Sequence, residues 1–301
     1  MRRITIASAA YPLDWLVDWA AYEAKIRAWV QSAALKQADL LVFPEYGAME
    51  LASLGGAEVA ADLERAVAEV ARHHDAMERL FEGLAIEFGL YILAPSGPVV
   101  EGMVRRNRAA IFGPAGRIGH QDKAIMTRFE REDWFIDAGV EGLRLFDTGL
   151  GRIAVLICYD SEFPLLARAV CEAGAELLLV PSCTDTRAGY HRVRTGAQAR
   201  ALENQCISVQ SVIVGAAAWC PAVDENHGAA ALYAPADVNW CDTGVIAEGV
   251  YDEPGWVTAT VDLEAVVKAR TDGEVLTFRH WSEQPMQAAH VHLVMENPRK
   301  A

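Results

Sequence analysis

Apolar and polar positions along the chain follow two rhythms, one of period two and one near 3.6 residues. From Ile4 to Ala10 they alternate as in a half-buried strand, and from Trp15 to Leu35 they recur at helical spacing (Trp15, Trp19, Tyr22, Ile26, Trp29, Val30) before the run Leu40-Leu41-Val42-Phe43. The pattern predicts β, α, β. The same order returns at Ile153–Ile157, a helical stretch Glu162–Ala173, and the run Leu177–Val180. The words themselves align: Ala38-Asp39-Leu40-Leu41-Val42-Phe43-Pro44-Glu45 matches Ala175-Glu176-Leu177-Leu178-Leu179-Val180-Pro181-Ser182, each a strand closed by proline with a polar residue at its carboxyl end. This is a two-fold internal pseudo-repeat.

Between the repeats lie an Ala/Glu-rich helical stretch, Ala57–Phe88, and strand-like Leu90–Ala94 and Ala109–Phe112. After them come a helix at Arg192–Asn204, a strand at Ile207–Val214, and hairpin-like pieces at Ala229–Tyr233, Gly244–Val250 and Trp256–Val261. Strands this apolar on both faces need cover on both sides. The expectation is an α/β chain with two sheets covered by helices, one domain over residues 1–301, since no linker or low-complexity segment divides it. The last ~20 residues read as an extension or an oligomer-contact tail. In such folds reactive groups gather beyond the carboxyl ends of the strands.

Composition narrows the chemistry. At 301 residues, 52% hydrophobic, 23% charged and mean hydropathy +0.10, the chain is long enough for a large core and is neither disordered nor a disulfide scaffold. A formal charge of −14 argues against nucleic-acid or anionic-membrane binding, which needs clustered cations, and favours a small neutral or cationic ligand. No stretch approaches the ~20 apolar residues of a membrane span, and Met1-Arg2-Arg3 leads into a first strand rather than a signal segment. Six cysteines without a C-x-x-C indicate reduced thiols in a cytoplasmic compartment.

Dinucleotide, phosphate-loop, serine-elbow and zinc-helix signatures are absent, which leaves a thiol. Three predicted strand ends carry reactive types: Glu45, Lys123 and Cys158. Taken singly, Cys158 reads as a small buried hydrophobe, Lys123 as a surface charge, and Glu45 equally as a turn residue or a functional acid. Together an acid, an ammonium and a thiol would alter one another's charge cost. His290 and His292 have no third ligand at metal spacing, so no metal is expected. Tyr46, Trp134, Tyr159, Cys183 and Thr184 abut these residues and are pocket candidates or core packing.

The three residues sit in words that resemble the nitrilase, or carbon–nitrogen hydrolase, superfamily: Leu41-Val42-Phe43-Pro44-Glu45, Lys123 in a stretch continuing to Arg131, and Ile157-Cys158-Tyr159-Asp160-Ser161-Glu162-Phe163-Pro164. Asn107–Gly116 and Arg200-Ala201-Leu202-Glu203-Asn204 extend the likeness over most of the chain. The resemblance implies a four-layer αββα sandwich, a homodimer or larger homo-oligomer, and no cofactor. It places Glu45 as general base, Lys123 as oxyanion stabiliser, Cys158 as nucleophile, and the backbone N–H of Tyr159 beside Lys123. Glu130 resembles the family's additional glutamate, with a helix-start surface acid as its other reading and Glu132 as its rival. Asp122 is a partner of Lys123 or a solvated turn acid, and Glu203 and Asn204 brace the site or merely end a helix. Glu162 stands where several amidase-like relatives carry arginine. Cys158-Tyr159-Asp160 is similar to the amide-hydrolysing branches, where true nitrilases show Cys-Trp-Glu, so a small linear amide is the expected substrate, with nitriles and N-carbamoyl compounds behind it. A catalytically silent binding protein is the reading from another class.

Overall fold

The computed structural model describes residues 2–238 and 240–288. In chain order its strands are β1 (Arg3–Pro12), β2 (Leu40–Val42), β3 (Tyr91–Leu93), β4 (Gly97–Glu101), β5 (Val104–Gly113), β6 (Gly116–Asp122), β7 (Leu145–Thr148), β8 (Gly151–Val155), β9 (Leu177–Ser182), β10 (Ile207–Ala216), β11 (Glu225–Asn226), β12 (Ala231–Tyr233), β13 (Val245–Glu248) and β14 (Gly255–Asp262). The main helices are α1 (Trp19–Ala34), α2 (Ala57–Ala60), α3 (Leu63–Phe88), α4 (Arg128–Glu132), α5 (Pro164–Glu172), α6 (Arg187–Asn204) and α7 (Leu263–Asp272).

The repeat is visible in the topology. β1, β2 and β3 run parallel as neighbours in one half, and β8, β9 and β10 do the same in the other. The halves join where Ala10–Pro12 of β1 lies parallel to Val212–Val214 of β10. Period-two alternation then sorts side chains into layers. Ile4, Ile6, Leu40 and Val42 of the first half share a core with Ile153, Val155, Leu177 and Leu179 of the second. Their sequence neighbours face the helices: Ala7, Ala9, Leu41 and Phe43 pack with Tyr22, Ile26 and Val30 of α1 and Val70, Met77 and Phe81 of α3, while Ala154, Leu156 and Leu178 pack with Ala167, Val170 and Cys171 of α5. Two apolar sheets back to back, each covered by helices, is the αββα sandwich. Each fully buried Leu, Ile or Phe contributes about 1.5–3 kcal/mol of transfer free energy, so the inter-sheet layer is a main source of stability.

Beyond shifted helix starts, at Trp19 for α1 and Arg187 for α6, two elements differ from the sequence pattern. The stretch Ala57–Phe88 is not one helix: Asp62, extended at φ −109° and accepting from the Arg65 N–H at 2.9 Å, starts α3 anew after α2. The segment Trp256–Val261 does not fold back on β13. It crosses to the other half as β14 and pairs antiparallel with Arg3–Ala10 of β1, a long-range contact that no local turn signal encodes. The candidate tail lies partly in a short helix, Gln284–Ala288, and partly outside the described residues, as do His290 and His292. No described helix is long and apolar enough to cross a membrane.

Candidate active site

The strand ends converge as the α/β topology requires. Glu45 follows β2, Lys123 follows β6, and Cys158 follows β8 within the Cys158–Glu162 3-10 turn. All three are buried. Lys123 Nζ donates to Glu45 Oε1 and to Glu130 Oε2, each at 2.7 Å. Glu45 Oε2 accepts the Cys183 N–H at 3.0 Å, which aims the carboxylate along the end of β9. The Cys158 thiol faces the Cys183 carbonyl at 3.7 Å and is held by a backbone at φ +48°, the left-handed region that costs a non-glycine residue about 1–3 kcal/mol. Ser161 Oγ closes that turn by donating to the Cys158 carbonyl at 2.7 Å. Tyr46, also in the left-handed region at φ +53°, follows Glu45 directly.

Glu130 is not a surface helix-start acid. It lies at the third position of α4 in a capping box with Thr127, whose N–H and hydroxyl each donate to Glu130 Oε2 at 2.8 Å. Its other oxygen accepts from the Tyr46 hydroxyl at 2.7 Å. Glu132 points away to an exposed pair with Arg128. Asp122 serves neither sequence reading: it is buried and bound to the Arg108 guanidinium at 2.7 and 3.0 Å. Glu203 and Asn204 bear on the site at one remove, through Arg200, which donates to the Ser161 carbonyl at 3.3 Å. Gly196 lets α6 approach that same turn, since a Cβ there would stand 3.2 Å from the Ser161 oxygen.

Two residues that sequence reasoning gave no role hold the cluster together. Asn107 on β5 donates from one amide nitrogen to Glu45 at 3.0 Å and Glu130 at 3.3 Å, while its oxygen accepts the Ser96 hydroxyl at 2.6 Å. Asp160 accepts from the N–H groups of Ala124 (3.1 Å), Ile125 (2.8 Å) and Ile157 (3.3 Å), tying the lysine loop to the cysteine turn. Asn107 is flanked by Arg105, Arg106 and Arg108, so its place at the start of the family-like stretch Asn107–Gly116 was the available signal for the first.

Electrostatics separate the two carboxylates that share the lysine. Burial raises Glu45, against the opposing pull of Lys123 and with the help of Glu130's charge, to about 7. Glu130 is buried too, but Lys123, Tyr46 and Thr127 outweigh that cost and hold it below the usual range. Lys123 is held charged, its two carboxylates outweighing burial. The Cys158 thiol is pushed well up by burial and by Glu45's charge, so it rests protonated. A neutral thiol thus lies beside a carboxylate poised near neutrality, the arrangement a proton-accepting base needs.

These groups open onto a cleft of about 540 Å³. Tyr46, Trp134, Tyr159, Cys183 and Thr184 all line it, with the Tyr46 and Trp134 rings edge-to-face at 4.7 Å. Sequence proximity did not disclose its remaining wall, contributed by Asp185 and the segment from Pro221 to Asn226. Glu162 lines it as well, paired with Arg192 at 2.7 Å.

A two-sheet sandwich between helices, with a thiol, two carboxylates and an ammonium beyond its strand ends, defines a nitrilase-type α/β protein. The carbon–nitrogen hydrolase family model matches residues 5–271, and the chain belongs to that family. It is 33% identical over 277 residues to the probable hydrolase YhcX of Bacillus subtilis, covering 90% of this chain and 52% of that protein, so the chain spans about half the length of that curated relative. It is 28% identical over 201 residues to the omega-amidase NIT2-B of Xenopus laevis, covering 64% and 68% of the two chains. Among solved structures, the amidase from Nesterenkonia sp. AN1 has the same fold, with TM-score 0.66 at 23% identity over 89% of this chain and 93% of that one.

Proposed function

We propose that this chain hydrolyses a small linear amide to acid and ammonia through an acyl-enzyme on Cys158. The observation that carries the reading is a single buried ammonium, Lys123, shared at 2.7 Å between Glu45 and Glu130 beside a thiol on a strained turn. Binding alone gives no reason to bury such a set.

In the first half-reaction Glu45 takes the thiol proton as sulfur attacks the carbonyl carbon, and the carbonyl electron pair moves onto oxygen. Lys123 Nζ and the backbone N–H of Tyr159, in the first turn of its helix, receive that negative charge. The oxyanion collapses, Glu45 returns its proton to the leaving nitrogen, and ammonia departs. Water, deprotonated by Glu45, then attacks the thioester. The C–S bond breaks, and the proton held by Glu45 returns to sulfur, restoring the resting site. Glu130, bonded to Lys123, positions the ammonium. Each step uses groups of the protein and water.

The amide reading over nitrile and N-carbamoyl cleavage is supported by Cys158-Tyr159-Asp160 and by a relative named as an omega-amidase. Ammonia release from short aliphatic amides, matched nitriles and N-carbamoyl amino acids tests it. Amides are expected to turn over fastest, and iodoacetamide to label Cys158 selectively. Absence of ammonia from every substrate together with no selective labelling overturns the hydrolase reading in favour of a silent binding protein.

A further inference from the structure

The cleft wall opposite in character to the catalytic cluster offers acceptors and negative charge. Every cation lining the cleft already has a carboxylate partner: Lys123 has Glu45 and Glu130, Arg192 has Glu162, and Arg128 has Glu132. Asp185, Asp224 and Glu225 also line it, are exposed, and have no basic partner among the described residues. They stand on adjoining segments. Thr184 and His227 exchange two hydrogen bonds, the His227 N–H to the Thr184 carbonyl at 2.9 Å and the Thr184 hydroxyl to the His227 carbonyl at 2.8 Å.

Asn226 follows Glu225 directly and lines the same cleft. It is 2% exposed, and its amide nitrogen donates to the carbonyls of Val223 at 2.7 Å and Gly215 at 3.2 Å. Two carbonyls at that end require the NH₂ there, so the oxygen is turned the other way, where its partner is the Cys183 thiol at 3.5 Å. A thiol is a weak donor. Its oxygen thus keeps a second lone pair beside Cys183, on a residue that lines the cleft.

From this acceptor-only wall we infer that the substrate is a primary amide whose acyl chain carries a cationic terminus, an ammonium or guanidinium. A carboxylate terminus would meet Asp185, Asp224 and Glu225 with no free cation to receive it, and a purely alkyl terminus would leave their field unused. The inference rests on the amidase reading, because the leaving group there is ammonia and the charge must lie on the acyl side.

The experiment compares kcat/KM for ω-amino amides of graded length with alkyl amides and ω-carboxy amides of matched length, at low and high salt. The expected order is ammonium over alkyl over carboxylate, with the ammonium-to-alkyl ratio roughly tenfold at low ionic strength and shrinking as salt is added. In Asp185→Asn and Glu225→Gln that ratio falls severalfold, a readout that cancels any loss of folded protein. Alkyl or carboxylate amides equal to or better than the ammonium series overturn the inference while leaving the amidase standing. Binding to Cys158→Ala is measured in parallel by calorimetry. Preferential binding of the ammonium amide without turnover by the parent enzyme overturns the hydrolase and retains the cationic specificity. Neither turnover nor preference overturns both.

Discussion

The Asn107 amide nitrogen lies 3.0 Å from Glu45 and 3.3 Å from Glu130, so one neutral side chain bridges the two carboxylates that hold Lys123. It spaces two negative groups without adding charge. Replacing it by aspartate, which has no donor when ionised, puts a third anion into the cluster. Asn107→Asp is expected to lose most turnover and, in what remains, to move the acid limb of kcat/KM upward, because added negative charge disfavours ionisation of Glu45. Asn107→Ala removes the bridge without the charge and is expected to cost roughly tenfold or more in kcat, as misplaced groups do. A pH profile of both variants checks this.

With Glu45 at about 7, kcat/KM should fall as pH drops below neutrality, since the protonated acid cannot accept the thiol proton. Glu130's charge is one of the causes holding Glu45 up. Glu130→Gln should therefore shift the acid limb to lower pH while lowering kcat about 10–100-fold through a less firmly held Lys123. An unmoved limb would show that the titrating group is not Glu45.

The same raised value has a stability consequence of definite sign. Between its ordinary 4.5 and about 7, folded Glu45 retains a proton that the unfolded chain has released. Its contribution is present below the unfolded value and lost as pH rises through about 7. Chemical denaturation across this range should show Glu45→Gln less sensitive to that rise than the parent.

Of the two cleft thiols, the two are distinguished by their partners. Cys158 faces the Cys183 carbonyl and is coupled to Glu45, whereas the Cys183 sulfur is turned to Asn226. Cys158→Ala should abolish turnover and Cys183→Ala leave most of it. Ammonia release from both variants decides, and the opposite pattern would reassign the nucleophile.

Asp160 joins the segments carrying Lys123 and Cys158 by accepting three backbone N–H groups. Asp160→Ala leaves those donors without their acceptor, at about 1–3 kcal/mol for each one that water cannot reach. We expect a loss of at least about 2 kcal/mol in urea unfolding, with turnover down more than about 100-fold because both reacting groups lose their register.

Much of this architecture is legible in one dimension. Alternation in Ile4–Ala10 marks a strand, and the continuous apolar runs Leu40–Phe43, Ile153–Ile157 and Leu177–Val180 specify strands buried on both faces and hence sheets with cover on each side. Local chemistry also marks Glu45, Lys123 and Cys158 as strand-end residues. These features depend on neighbours a few residues apart, which is the range over which backbone geometry and side-chain period act. What required the tertiary structure is everything set by contacts between distant segments: β14 crossing to β1, Asp122 given to Arg108, Asn107 bridging two acids, and Asp185 and Glu225 brought to the wall of one cleft. Charge and hydrogen-bond partners in a buried site are decided by which strand ends the packed sheets bring together, and that packing depends on the whole core at once.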